Sequence, residues 1–301
     1  MRMTASTKTK TTHGSVGRTC KFTRPSQKQH KTRTIPAGPA IAPVLISRVP
    51  VFEPTFRRSA RGTQTTVWTT AWGTVSVQGR LTEMHRKILD AIFAWHLSAH
   101  RFETGAQAFL IDPYAIENAA HVAHNPGWLR GMLQDMIASR VTIDSNTGMH
   151  YDGTIISEFW KSTQQAAQPG GALTGPRALW VIVVSSGWMA LYDSSLVMKY
   201  RNLMPTLNQL TDGATHALAL HILTHSSARN FVVMHVLAVI GAVTANTTPD
   251  KRRRLQRQVL AQETILGRLG IRLYRAVNGQ MMLSYVPITS GVYFQNRKTP
   301  Q

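Results

Sequence analysis

Apolar and polar positions along residues 63–165 follow a helical period in some stretches and an extended one in others. Thr82, Asp112 and Asn125 each stand where a side-chain oxygen can cap a helix, and the last two precede a proline. In order, the predicted elements are a strand at residues 67–77, helices at 82–96, 112–122 and 125–137, and a hairpin at 141–151. Three helices followed by a hairpin is the order of a winged helix-turn-helix.

Residues 177–294 repeat this order after a strand-rich start. Asp212 and Thr248 are placed to cap helices, and Asn278-Gly279 between two alternating runs predicts a tight hairpin turn. The predicted elements are strands at residues 179–184 and 188–192, helices at 214–224, 231–240 and 249–269, and a hairpin at 271–286. The pattern therefore predicts an α+β fold with two tandem winged helix-turn-helix domains.

Charge divides the chain unevenly. Of the 301 residues 43% are hydrophobic, enough for a core, and the net charge is +20, which favours a polyanionic partner such as nucleic acid. Residues 1–62 carry +12, residues 63–165 carry −2 and residues 166–301 carry +10. The predicted organisation is an arm and connector at 1–62, a first domain at 63–165, a linker at 166–176 and a second domain at 177–294.

The N-terminal arm is predicted to be disordered when free, because its first 33 residues hold almost no large apolar side chains. The same Ser, Thr and basic composition also resembles an organellar transit peptide. Prolines then favour an extended connector, in which Val44, Leu45, Ile46 and Val51 could dock on the folded body.

The helix predicted at residues 249–269 concentrates cations on one side. At about 100° per residue, Leu255 and Val259 face opposite to Arg253 and Arg257. Arginine is suited to guanine and glutamine to adenine in the major groove, with the arm's lysines on phosphates or in a minor groove. A solvated charged face is the alternative. The predicted DNA-binding residues are Lys251, Arg252, Arg253, Arg254, Gln256 and Arg257 on the helix and Arg272, Arg275 and Asn278 on the hairpin.

Catalytic chemistry has little support. There is no Gly-x-x-x-x-Gly-Lys-Ser/Thr phosphate loop and no H-E-x-x-H arrangement. We therefore expect no enzyme activity, catalytic residue, metal or cofactor. The single cysteine excludes an intramolecular disulfide, and the most apolar stretch is shorter than the roughly 18–20 residues of a membrane span, so a cytoplasmic protein without membrane contact is expected. Histidines expected to be structural are His121, His124, His216, His221 and His225.

The order of elements and several segments resemble plasmid replication initiators of the RepA/TrfA type. These segments are residues 72–92, 200–210, 217–225 and 249–271, within a likeness spanning about residues 65–290. The resemblance implies two tandem winged-helix domains, binding to repeated plasmid origin sites, local opening of the duplex and recruitment of host initiator and helicase proteins. It also implies that the first domain serves homodimer formation and secondary DNA contact. The basic arm has no counterpart in that family.

The sequence thus predicts a sequence-specific double-stranded DNA-binding protein that initiates plasmid replication. Two alternatives stay open: a transcriptional regulator built from the same winged helices, and a packaging protein that binds nucleic acid without sequence preference through its arm.

Overall fold

The computed structural model describes residues 41–57, 64–166, 177–194, 196–288 and 293–295, all of which belong to one compact unit. Helices alternate with four small antiparallel sheets, so the predicted α+β class is confirmed. The arm predicted to be disordered, up to about residue 33, lies outside the described residues. So do residues 34–40 of the predicted connector and residues 167–176 of the predicted linker.

Short strands and short helices follow one another along the described residues. The strands are β1 Ile41–Pro43, β2 Thr65–Thr70, β3 Gly73–Gln78, β4 Ser98–Arg101, β5 Gln107–Ile111, β6 Arg140–Ser145, β7 His150–Gly153, β8 Ile156–Ala166, β9 Arg177–Val184, β10 Val197–Lys199, β11 Arg229–Val232, β12 Ile271–Arg275, β13 Met281–Tyr285 and β14 Tyr293–Gln295. The helices are α1 Val44–Arg48, α2 Glu83–Trp95, α3 Pro113–Ala119, α4 Pro126–Ala138, α5 Ser186–Ser194, α6 Met204–Leu207, α7 Gly213–Leu223, α8 Val233–Val239, α9 Pro249–Leu260 and α10 Glu263–Arg268, with a 3₁₀ turn at Arg201–Leu203.

Four helix starts follow from capping residues that the sequence predicts. In each, a side-chain oxygen accepts a hydrogen bond from a backbone N–H of the first turn, which otherwise has no intrahelical partner. The donors and acceptors are Tyr114 to Asp112 (3.0 Å), Trp128 to Asn125 (3.0 Å), Thr215 to Asp212 (2.8 Å) and Lys251 to Thr248 (3.4 Å).

Two hydrophobic cores divide the described residues. The first region, residues 64–194, holds the sheets β2-β3-β6-β7 and β4-β5-β9-β8 around one core. The second region, residues 196–288, holds α6 to α10 and the sheet β11-β13-β12 around the other. Strands β8 and β9, on either side of the predicted linker, pair with each other in the first region. The predicted domain boundary therefore falls between β8 and β9, two strands that are paired with each other in one sheet of the first region.

The connector, residues 41–57, is part of the folded body. Val44 is buried in the second core, whereas Ile46 and Val51 are buried in the first. Strand β1 adds to β10 and β14 in a separate three-stranded sheet. The docking that the sequence predicts for this segment is confirmed, and the assignment of these residues to an extended connector is corrected, because burial of their apolar side chains stabilises a helical turn at α1.

Four predicted elements differ from the structure. Residues 67–77 form a hairpin, β2 and β3, rather than one strand, and residues 188–192 lie in helix α5 rather than in a strand. Phe231 belongs to strand β11, and α8 begins after it. The helix predicted to reach residue 269 ends at Leu260, because Gln262 turns inward, where its side chain accepts from the backbone N–H of Thr211 (2.8 Å).

Candidate nucleic-acid interface

Helix α9 presents its hydrophobic side to the second core and its basic side to solvent. Leu255 and Val259 are buried against α7 and α8. All five cations of the helix are exposed, with 70% of the Arg253 side chain accessible. The acid in the first turn, Asp250, lies 3.7 Å from the Arg253 guanidinium. The exposed side of α9 is therefore strongly cationic.

The hairpin β12–β13 follows α10 and packs against it through β12. Arg272 and Arg275 are exposed, and Val277 at the tip is fully accessible. Asn278 shapes the turn, because its Oδ1 accepts a hydrogen bond from the backbone N–H of Gln280 (3.0 Å). The hairpin β12–β13 therefore carries two arginines on its exposed surface.

The structure places the nine predicted DNA-binding residues on α9 and on the hairpin β12–β13, which belong to the same region. Eight are exposed and Gln256 is half-buried. None of them lies in the hydrophobic core. Their contact with DNA stays a prediction.

Helix α4 occupies the matching position in the order of the first region, before the hairpin β6–β7. It carries one cation, Arg130, and one acid, Asp135. In the hairpin, the Arg140 guanidinium donates hydrogen bonds to both carboxylate oxygens of Asp152, at 2.8 and 2.5 Å. The surface here is close to neutral.

The histidines of α7 lie between the two regions and away from α9's basic side. His216 is buried with its Nδ1 2.8 Å from a carboxylate oxygen of Glu83 on α2. Burial raises the pKa of Glu83 to about 7 and lowers the pKa of His216. Burial also lowers the pKa of His221 to about 4, and its Nδ1 lies 3.2 Å from the Ser47 carbonyl oxygen. These contacts join α2, α7 and the connector.

Within the described ranges, no group of three or more His, Cys, Asp or Glu side chains is arranged to hold a metal ion. Among the helices of those ranges, none has both the length and the apolar character that crossing a bilayer requires.

Neither known protein families nor curated proteins match this chain. Among solved structures, the chain is similar to a selenomethionine derivative of domains 2 and 3 of RctB, with 9% identity and a TM-score of 0.50 over 81% of this chain and 97% of that one. A second structure of RctB domains 2–3 is similar over the same shares, with 9% identity and a TM-score of 0.47. At this identity, the first likeness shows a shared fold that spans both regions described above.

Proposed function

We propose that the chain is a sequence-specific double-stranded DNA-binding protein that initiates replication, without enzyme activity. In this proposal the two regions are winged helix-turn-helix modules and α9 is the recognition helix of the second. The observation that carries it is the exposed arginine face of α9, supported from behind by Leu255 and Val259. In helix-turn-helix docking, the N-terminal residues of this helix reach base edges.

The position of the cations supports DNA as the partner. Cations at a helix N-terminus oppose the helix dipole, at a cost of about 0.3–1 kcal/mol each on an exposed surface. Lys251 to Arg254 occupy the first turns of α9, and Asp250 supplies one acid against them. A sequence that places four cations there is better suited to a nearby polyanion than to free solvent, because phosphates would offset this cost.

Replication initiation is favoured over other DNA-binding functions by the resemblance of the sequence to plasmid initiators of the RepA/TrfA type. The fold likeness to RctB domains 2 and 3 extends over both regions of the chain. On that basis we propose repeated origin sites, local duplex opening, recruitment of host initiator and helicase proteins, and homodimer formation through the first region. A plasmid origin is part of the same proposal.

Footprinting on the DNA that flanks the gene, followed by permanganate probing of the same DNA, tests this function. We expect protection at several repeats and protein-dependent reactivity of unpaired thymines beside them. Protection at one promoter site without thymine reactivity would instead identify a regulator.

A packaging protein makes a separate prediction, because it would bind mainly through its arm. Deletion should stop before residue 41, since the connector from 41 onward supplies buried core residues. We expect the deleted protein to retain its preference for the footprinted site over random DNA. The packaging function would be identified by two results together. The deletion would remove most of the affinity for DNA, and the full chain would bind the footprinted site no more tightly than random DNA.

A further inference from the structure

A cleft of about 540 Å³ separates one flank of α9 from the connector. The start of α7 and the residues after α8, Gly241 and Ala242, also line it. Three cations line it: Lys251 and Arg254 from α9, and Arg57 from the connector. Arg57 was not among the predicted DNA-binding residues, because the sequence places it in the N-terminal segment, far along the chain from α9.

The cleft divides the cations of α9 into two groups. Lys251 and Arg254 line the cleft together with the uncharged Gln258, whereas Arg252, Arg253 and Arg257 do not line it. Successive residues of a helix are separated by about 100°, so Arg254 faces sideways when Arg253 faces directly away from the core. The two groups therefore meet different parts of any surface on which α9 lies.

The dimensions of B-DNA indicate which part of a duplex the side chains on the flank of α9 would meet. The major groove is about 12 Å wide, and a helix with its side chains is roughly 10–12 Å across, so a helix in the groove fills it from wall to wall. Side chains that point to the groove floor meet base edges, whereas side chains on the flanks meet the sugar-phosphate walls. Lys251 and Arg254 are on such a flank.

The connector holds Arg57 at the opposite side of the cleft. Gly213, the first residue of α7, allows this approach, because a Cβ there would lie 2.5 Å from the backbone of Thr55. Phe56 makes an edge contact with the His216 ring, with centroids 5.5 Å apart, and the Lys87 ammonium lies 4.7 Å from the centroid of the Phe56 ring. The neighbouring Arg57 is therefore attached to a fixed segment.

Two acids also line the cleft, Glu53 and Asp212. The Asp212 carboxylate is engaged by the protein, because one oxygen accepts from the Thr215 N–H and the other from the side-chain amide of Gln262. Three cations against two acids leave the lining with an excess of one positive charge. The lining therefore has a net positive charge, which favours an anion such as a phosphodiester.

We infer that this cleft receives a backbone phosphate of the bound duplex, with Arg57, Lys251 and Arg254 as its ligands. The inference rests on the proposed function and adds to it a division of labour, in which the flank of α9 positions the protein and the outward face reads bases.

The test measures the salt dependence of binding by the full chain to a labelled random-sequence duplex, between about 50 and 200 mM salt. The variants are Arg57→Gln and Arg254→Gln, and the matched control is Lys161→Gln, which removes an exposed cation from β8 in another sheet. Each cleft variant should reduce the slope of log K against log salt by about 0.9, since one phosphate contact is lost. The control should leave the slope unchanged.

If the slopes of both cleft variants are unchanged while the unaltered protein shows normal salt-dependent binding, the inference that the cleft binds a phosphate is wrong. The proposed function would not be affected by that result. Absence of salt-dependent binding by the unaltered protein would overturn both. A second arm titrates inorganic phosphate and ATP against the free protein. If Arg57→Gln removes binding of either one and leaves the DNA slope intact, the cleft is a site for a free anion, which also contradicts the inference.

Discussion

Helices α4 and α9 are built on the same plan and have opposite surfaces. Each begins with a capping side chain followed by proline, Asn125 in one and Thr248 in the other. A hairpin comes directly after α4, and after the short helix α10 in the case of α9. Helix α4 has one cation and one acid, whereas α9 has five cations and one acid. The shared plan defines the local fold, and the difference lies in the exposed side chains.

Burial shows the same contrast. Helix α4 buries Leu129, Met132, Leu133 and Met136, whereas α9 buries Leu255 and Val259. A helix with four buried residues contributes mainly to the core, and one with two leaves more of its surface available for a partner. We therefore expect mutations in α4 to affect stability and mutations in α9 to affect DNA binding.

The largest effect is expected from Leu133→Ala in α4. Leu133 is fully buried, so the change removes apolar contacts and leaves a cavity, at a cost of about 2–5 kcal/mol in the free energy of unfolding. Urea denaturation measures it, and Gln134→Ala, an exposed neighbour, is the control. A loss no larger than that of the control would refute the structural role of α4.

Arg253→Ala and Arg257→Ala should each weaken binding to the cognate site by roughly 1–3 kcal/mol. The unfolding free energy should change by no more than about 0.5 kcal/mol, since both side chains are exposed. Arg130→Ala on α4 is the matched control and should weaken binding less. Fluorescence anisotropy with the footprinted duplex measures all three, and an equal loss for Arg130→Ala would remove the functional difference between the helices.

The two helix caps should have similar effects on stability and different effects on binding. Asn125→Ala and Thr248→Ala should each cost about 1 kcal/mol of unfolding free energy, because a first-turn N–H loses its acceptor. Thr248→Ala alone should also weaken DNA binding, since it frays the turn that carries the cations. Thermal melts and anisotropy check both, with the glycine variants, expected to lose only a few tenths, as controls.

The smallest effect is expected at the hairpins. Arg275→Ala should reduce the salt slope by about one, whereas Arg140→Ala should leave it unchanged because Arg140 is paired with Asp152. Salt titrations of both variants on one duplex make the comparison. Equal reductions of the salt slope in the two variants would show that the ion pair with Asp152 does not prevent Arg140 from contacting DNA.

Helix starts and hairpin turns were predictable because their signals are local. A cap followed by proline needs only adjacent residues, as at Asp112, and Asn278-Gly279 suits a hairpin turn, in which Gly279 adopts φ +79°. The predicted basic face of α9 needed only the helical repeat. The structure confirms these capped helix starts, the turn at Asn278-Gly279 and the exposed basic side of α9.

The remaining differences arise from contacts between distant residues. Trp188, Met189, Leu191 and Tyr192 are buried at helical spacing in α5, but the aromatic residues Trp188 and Tyr192 in a short window favoured a strand. Strand β8 is mostly polar and exposed, so its pairing with β9 supplies the structure that its own sequence does not indicate. Arg57 likewise joins the flank of α9 only through folding of the connector. The pairing of β8 with β9 and the approach of Arg57 to α9 therefore cannot be predicted from a local sequence pattern.

The proposed function depends above all on the outward face of α9 reading base sequence. The most direct measurement is the ratio of affinities for the footprinted site and for random DNA, compared between the unaltered protein and Arg253→Ala. We expect this ratio to fall in the variant, because contact with a base edge is lost while phosphate contacts remain. An equal loss of affinity on both duplexes, with the ratio unchanged, would show that Arg253 does not read bases.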